Sequence, residues 1–186
     1  MTRKIVATEF LSLDGVFEEP GQWSFPFWSE EAGRFKAEEL FASDAQLLGR
    51  LTYEGFAAAW PSMTDDAGFA DRMNGMQKYV VTSTLSHPRW NNTAVINGNV
   101  AETVAELKTQ PGQDILVAGS GQLVRTLMEH HMIDEYRFMV HPVVLGSGKR
   151  LFPEGTGKTV LRLVDSMAFS SGVVVLTYQP AGRDAP

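Results

Sequence analysis

The chain has 186 residues, of which 44% are hydrophobic and 20% charged, which suits a single globular domain spanning residues 1–186 with a substantial core. Its net charge of −6 disfavours a nucleic-acid or anionic-membrane surface, so a phosphate ligand would have to be bound locally. The absence of cysteine excludes disulfides, thiolate nucleophiles and the usual zinc or iron–sulfur ligand sets. Glu9 and Asp14 interrupt any signal-like start and no apolar run is long enough to span a membrane, so we expect a cytoplasmic protein.

Hydrophobic periodicity divides most of the chain into alternating strands and helices. Apolar runs predict strands, and apolar residues at helical spacing predict amphipathic helices. In chain order, the predicted elements are a strand over 5–13, a helix over 29–42, a strand over 45–48, a helix over 51–60, strands over 78–82 and 94–96, a helix over 99–108, and a strand followed by a helix over 115–131. Ser29 and Asn99 stand at two of the helix starts and are residue types that cap helix N-termini.

The last third of the chain has a different pattern. Residues 136–144, 160–169 and 173–178 are predicted to be strands, and the segments between them leave no room for helices. Strands connected in this way usually pair antiparallel. The sequence therefore predicts an α/β domain with a mixed sheet, which begins with strand–helix units and ends in antiparallel strands.

The most informative motif spans residues 114–127, where an apolar strand breaks at Gly119 and Gly121 and continues directly as a helix. A helix that opens after a glycine turn leaves backbone N–H groups free to bind an anion such as a pyrophosphate. Glycine between a strand and a helix is also common for steric reasons alone. By itself the motif is therefore a weak indication of a nucleotide site.

Better-known motifs do not fit the sequence. A dinucleotide-binding Rossmann fingerprint needs a third glycine where Val124 stands. A serine-hydrolase nucleophile elbow around Ser120 needs glycines at the positions of Ala118 and Gln122. The four histidines do not have the spacing of metal ligands, so we expect no metal site.

Two more predicted strands end in groups that suit phosphate. Gly49, Arg50 and Thr52 follow the strand over 45–48, and an arginine can bind phosphate oxygens in a bidentate way. Hydroxyls at Thr82 and Ser83 close the strand over 78–82. Each group alone also fits an ordinary turn or cap. Together with residues 119–121 they predict a ligand laid across the carboxyl edge of a sheet.

Five segments in order resemble a known family. They are 12–15 (SLDG), 48–53 (LGRLTY), 80–83 (VVTS), 115–121 (ILVAGSG) and 142–148 (PVVLGSG). Together they resemble the dihydrofolate-reductase-like superfamily, and within it the stand-alone proteins similar to the C-terminal reductase domain of the bifunctional riboflavin-biosynthesis deaminase/reductase. The resemblance covers nearly the whole chain.

The resemblance implies a mostly parallel sheet flanked by helices, NADPH bound across its carboxyl edge, hydride transfer to a small nitrogen heterocycle, and a homodimer. Carried over by motif, Gly49, Arg50 and Thr52 would contact phosphates, and Thr82 and Ser83 the 2′-phosphate region. The pyrophosphate would lie against a run at the start of the helix that comprises Gly119, Ser120, Gly121, Gln122 and Leu123.

Asp14 is the candidate catalytic residue, because the loop over 14–28 would cover the nicotinamide and the substrate. Asp14-Gly15 also suits a simple turn, and Glu30, Glu31 or water are alternative proton sources. Folate and riboflavin-pathway reductases carry characteristic residues where this chain has Met76 and Ala118. The substrate therefore stays open among pterin-, folate- and ribosylaminopyrimidine-like heterocycles, and the alternative is a non-catalytic, homodimeric nucleotide- or pterin-binding protein.

Overall fold

The computed structural model describes residues 2–182. Its strands are β1 Ile5–Ser12, β2 Ser43–Gly49, β3 Gln77–Val81, β4 Thr93–Ile96, β5 Asp114–Ala118, β6 Glu135–His141, β7 Leu161–Ala168 and β8 Val174–Pro180. Its α-helices are α1 Glu30–Phe41, α2 Arg50–Ala59, α3 Phe69–Gly75, α4 Val100–Thr109 and α5 Gly121–Glu129. Within this part of the chain, no helix is both long enough and apolar enough to cross a bilayer.

The strands form one eight-stranded sheet in the order β4-β3-β2-β5-β1-β6-β8-β7. Neighbours from β4 to β6 pair parallel, whereas β8 pairs antiparallel with both β6 and β7. The predicted α/β fold with a mixed, mostly parallel sheet and antiparallel C-terminal strands is confirmed. One detail differs: β6 lies parallel to β1 on one side, so the chain reverses direction only at β8.

Helix α3 is the element that periodicity did not predict. Its seven residues bury only Ala70 and Met73, which is too little to give a recognisable helical repeat. Asp65 stabilises its start, because the carboxylate accepts hydrogen bonds from Phe69 N at 3.0 Å and Ala70 N at 2.6 Å. Tertiary contacts and this cap hold the helix where local sequence preference is weak.

Alternating residues of β1 face the two layers of helices. Ile5, Ala7 and Leu11 belong to the core cluster that contains Leu123 and Val124 of α5. The residues between them, Val6 and Thr8, face the layer of α1 and α2. Val6 packs in a cluster with Leu48 and Tyr53, and the Thr8 hydroxyl donates a hydrogen bond to Glu39 of α1. Glu9 has the parity of Ala7, which places an acidic residue on the α5 side of the central strand.

The apolar side chains of β6 are mostly buried inside the subunit. Tyr136 and Phe138 are 2% and 6% exposed and pack with the α5 side of the core. Edge strand β7 carries three exposed apolar side chains, since Leu163, Val164 and Met167 are 49%, 38% and 39% exposed.

Candidate functional site

The site predicted at the carboxyl edge is assembled by three adjacent strands. β3, β2 and β5 are neighbours in the sheet and run parallel, so their carboxyl ends lie at one edge. Gly49 is paired in register with Val81, which directly precedes Thr82. Gly119 follows the last residue of β5. The sheet thus brings together the three groups of phosphate-compatible residues that are far apart in the sequence.

Ser120 joins the ends of β2 and β5. Its Oγ accepts a hydrogen bond from Gly49 N at 2.9 Å and donates to Ala118 O at 3.1 Å, while its backbone N donates to Thr52 Oγ1 at 3.1 Å. Ser120 adopts a left-handed conformation with φ of 62°, which is unusual for a non-glycine residue. These three hydrogen bonds account for the strained conformation and fix the turn against the start of α2.

At Gly119, glycine is favoured both by conformation and by close contact. Gly119 has φ of 53°, and a Cβ atom there would lie 3.3 Å from Thr52 Oγ1. A Cβ atom on Gly49 would lie 3.5 Å from that of Ser120. The two glycines keep side chains away from the point where α2 and α5 begin, so a ligand can approach the backbone closely.

The N-termini of α2 and α5 lack side-chain caps. Gly49, at the N-cap of α2, has no side chain, and Ser120, at the N-cap of α5, uses its hydroxyl for Gly49 and Ala118. Within residues 2–182 neither helix start receives a side-chain cap hydrogen bond. First-turn N–H groups and the helix dipole together favour an anion at such a position. Two such helix starts side by side suit the two phosphates of a dinucleotide.

The other residues predicted to bind phosphate are at least partly accessible to solvent. The Arg50 guanidinium forms an exposed ion pair with Glu54, with Nη1 to Oε2 at 2.9 Å, and exposed pairs of this kind contribute little stability. Arg50 can therefore exchange this partner for a phosphate. Thr82 Oγ1 accepts hydrogen bonds from Thr84 N and Leu85 N and lies 3.4 Å from Thr84 Oγ1, and Ser83 is exposed.

The start of α5 is bordered by an aromatic ring. A Cβ atom on Gly121 would lie only 2.7 Å from Phe17 Cε2, so the ring lies directly on this glycine. Of the other α5 residues in the predicted site, Gln122 is exposed, whereas Leu123 is buried and can offer only its backbone N–H. Phe17 of the loop over 14–28 thus covers Gly121 at the start of α5.

The contacts of Asp14 argue against its predicted role as proton donor. Its carboxylate accepts hydrogen bonds from Ser12 Oγ at 2.7 Å, Leu145 N at 3.1 Å and Gly146 N at 2.9 Å. These donors lower the pKa of Asp14 to about 2, Ser12 having the largest effect. At neutral pH Asp14 is thus a carboxylate that joins the loop after β1 to the loop after β6.

Two other acids near the predicted substrate loop are also held ionised. Hydrogen bonds from the Ser170 hydroxyl and N–H lower the pKa of Glu31. Lys149 lowers the pKa of Glu18 in the same way, through its side chain at 3.0 Å and its backbone N at 3.1 Å. Glu31 therefore connects α1 to the turn before β8, and it does not resemble an acid poised to release a proton.

Sequence reasoning overlooked Glu9, which is 2% exposed and whose pKa is raised to about 8 by burial. The sequence does contain an indication that Glu9 is unusual, because a carboxylate inside an otherwise apolar strand requires a special environment.

Most aromatic side chains of the long loop pack the loop onto the sheet. Trp23 and Phe27 lie 5.2 and 6.1 Å from the ring of buried His141, measured between centroids. Phe25 and Trp28 are 70% and 49% exposed. The loop is thus anchored at the end of β6 by two of its aromatic residues, while others stay at the surface.

Comparisons with known proteins agree with this architecture. The family described as the RibD C-terminal domain matches residues 3–175. The uncharacterized protein YyaP of Bacillus subtilis is 31% identical over 180 residues, which cover 95% of this chain and 94% of that protein.

Solved structures show the same fold at low sequence identity. A putative riboflavin biosynthesis protein from Shewanella sp. PV-4 superposes with a TM-score of 0.77 and 17% identity over 97% of this chain and 99% of that one. A dihydrofolate reductase from Enterococcus faecalis, complexed with NADP(H), superposes with a TM-score of 0.58 and 19% identity over 97% and 99% of the two chains. The family match over most of the chain, together with this shared fold, identifies the protein as a member of the RibD C-terminal domain family.

Proposed function

We propose that the protein is an NADPH-dependent reductase that transfers hydride to a small nitrogen heterocycle of the pterin, folate or ribosylaminopyrimidine type. The observation that carries the proposal is the pair of uncapped helix N-termini, α2 and α5, which Ser120 joins at the ends of adjacent strands. A neighbour with the same fold, the Enterococcus faecalis reductase, was solved with NADP(H) bound, which supports the choice of cofactor.

The residues at the carboxyl edge fit the phosphates of such a cofactor. The N–H groups of Gly121, Gln122 and Leu123 would hold the pyrophosphate together with the start of α2, where Gly49 and Gly119 permit close approach. Arg50 and Thr52 would bind the same phosphates, and Thr82 and Ser83 the 2′-phosphate. We therefore expect NADPH to bind more tightly than NADH.

In the proposed reaction, bound NADPH supplies the hydride, and the protein supplies orientation and electrostatics. The second requirement is a proton for the ring nitrogen of the substrate. Because Asp14, Glu18 and Glu31 are held as carboxylates, Glu30 or water is the proposed source of this proton. Asp14 would then act by positioning the loop between β1 and α1, through its bonds to Leu145 and Gly146.

Calorimetric titration with NADPH and with NADH tests the cofactor assignment. A screen of pterins, folates and ribosylated pyrimidines for NADPH oxidation then tests turnover. Preferential binding of NADPH and oxidation with one substrate class would support the proposal. Equal affinity for the two cofactors would remove the assignment of Arg50, Thr82 and Ser83 to the 2′-phosphate region.

A non-catalytic, homodimeric nucleotide- or pterin-binding protein is the second candidate. The lowered pKa values of Asp14, Glu18 and Glu31 favour it, since they leave the site poor in proton donors. The exposed apolar residues of edge strand β7 favour the dimer. Tight NADPH binding without oxidation across the whole screen would support this function, and a monomer at micromolar concentration in light scattering would contradict the dimer.

A further inference from the structure

Glu9 is a buried acid next to the proposed cofactor site. The carbonyl oxygen of the preceding residue, Thr8, accepts a hydrogen bond from Gly119 N at 3.3 Å, so Glu9 lies beside the glycine turn that opens α5. Its position in β1 directs it to the α5 side of the sheet, like Ala7 and Leu11. The proposed pyrophosphate position and this carboxyl group are thus on the same side of the turn.

The carboxyl group lacks the partners that a buried charge needs. Its Oε1 atom is buried and has no hydrogen-bond partner among residues 2–182. A buried, unpartnered oxygen of this kind is rare in folded proteins and calls for a functional or chemical explanation. Burial favours the neutral acid, and the pKa of about 8 means that Glu9 is mainly protonated at neutral pH.

Cations on both sides of the sheet oppose this burial effect. Lys36 of α1 and Arg125 of α5 lower the pKa of Glu9, but by less than burial raises it. Arg125 lies one turn into α5 and donates from Nη1 to Leu151 O at 3.1 Å. The strands on either side of Glu9 add no charge, since Phe138 is its partner on β6 and β5 ends at Ala118.

The loop residues near Arg125 are charged in opposing pairs. Arg125 lines a cavity of about 380 Å³ together with Phe17, Lys149, Arg150 and Glu154. Lys149 Nζ is 3.0 Å from Glu18 Oε1, and Arg150 Nη2 is 3.8 Å from Asp14 Oδ2. Arg125 is the basic residue of α5, and its charge acts on Glu9.

We infer that Glu9 couples proton binding to cofactor binding: it takes up a proton when the phosphates of a dinucleotide occupy the start of α5. This inference rests on the proposed function. An anion at that position repels an ionised Glu9 and competes with it for the positive end of the α5 dipole and for Arg125. By linkage, an ionised Glu9 must weaken phosphate binding to the same extent.

Calorimetry of NADPH binding in buffers of different ionisation enthalpy tests the coupling. At about pH 8, where the 2′-phosphate is already ionised, we expect uptake of about 0.3–0.4 proton by the wild-type protein. Between about pH 7 and pH 9.5, its NADPH affinity should fall about three- to tenfold. Glu9→Gln, which has nearly the same shape and cannot titrate, should show neither effect.

Glu106→Gln is the matched control, because it removes the same charge from an exposed position on the neighbouring helix α4. It should retain both the proton uptake and the pH dependence. NADPH binding without buffer-dependent heat at about pH 8, or with the same heat in Glu9→Gln, would overturn the inference and leave the proposed function intact. If the wild-type protein does not bind NADPH at all, the proposed function fails first.

A stability measurement verifies that Glu9→Gln is folded and that Glu9 titrates. The raised pKa of Glu9 contributes stability that is fully present below pH 4.5 and is lost as pH rises through about 8. The thermal midpoint of Glu9→Gln, measured relative to that of the wild type, should therefore rise as the pH is raised from 4.5 to about 8. A constant difference between the two proteins would show that Glu9 does not titrate there and would overturn the inference.

Discussion

The helices of this protein begin in two different ways. In α1, the Ser29 hydroxyl accepts a hydrogen bond from Ala32 N at 3.2 Å, and in α4 the Asn99 side chain accepts one from Glu102 N at 3.2 Å. Helices α2 and α5 have no such bond from any residue in the range 2–182. The capped helices begin away from the glycine turns, whereas the uncapped ones meet at the carboxyl edge of β2 and β5.

The capped helix starts favour stability, and the uncapped ones favour ligand binding. A side-chain cap satisfies N–H groups within the protein and stabilises the helix by about 1 kcal/mol. An uncapped start gives up that stability and keeps the N–H groups available for an external anion. We therefore expect changes at the starts of α2 and α5 to alter ligand affinity, and changes at the starts of α1 and α4 to alter the free energy of unfolding.

The largest expected effect is that of Arg50→Ala at the start of α2. Loss of hydrogen bonds to a charged phosphate should weaken NADPH binding by about 1.5–3 kcal/mol in calorimetry. Folding stability should change little, because Arg50 is exposed and its ion pair with Glu54 lies at the surface. Arg34→Ala, at an exposed position of capped α1, is the control and should bind NADPH normally. Equal affinities of the two variants would contradict the assignment of Arg50.

A carboxylate at the start of α5 should raise stability and weaken NADPH binding. Gln122→Glu places a negative charge in an uncapped first turn, where the helix dipole favours it by about 0.3–1 kcal/mol. The same charge should weaken NADPH binding about tenfold by repelling the pyrophosphate. Denaturant titration and calorimetry measure the two effects separately. A variant that gains stability and still binds NADPH normally would exclude α5 from the site.

Removal of a side-chain cap should lower stability and leave NADPH binding unchanged. Ser29→Ala and Asn99→Ala should each lower the free energy of unfolding by about 1 kcal/mol, because the bonded N–H groups lose their acceptors. NADPH affinity should stay within error of the wild type in both variants. A tenfold loss of affinity in either of them would show that the capped helices also contribute to the site.

The smallest effect on binding is expected for Asp14→Asn. The donors around Asp14 lower its pKa from 3.8 to about 2, so its contribution to stability is present above pH 3.8 and lost as pH falls through about 2. Asp14→Asn should flatten acid unfolding over that interval and leave NADPH affinity nearly unchanged. If the protein turns over a substrate, a fall in kcat that does not vary with pH near neutrality would fit the positioning role. Retention of the wild-type rate would reduce Asp14 to a turn residue.

The sequence alone determined the order of most elements and the phosphate-compatible residues. Periodicity located β1, α1 and the strand–helix unit of β5 and α5, because each buries a regular apolar face. The caps Ser29 and Asn99 were also predictable, since capping depends on residues within one turn of the helix. Motif resemblance indicated which glycines and hydroxyls belong to the proposed cofactor site.

Tertiary structure alone decided which of these groups act together and in which protonation state. Ser120 is a helix N-cap by position, yet its hydroxyl is directed to Gly49, which is distant in the sequence and adjacent only in the folded sheet. Asp14 is bound by Leu145 and Gly146, and Glu9 is enclosed by the core, so two carboxylates of one strand–loop segment acquire opposite pKa shifts. Burial and hydrogen bonds from distant segments set those pKa values, and neither can be read from local sequence.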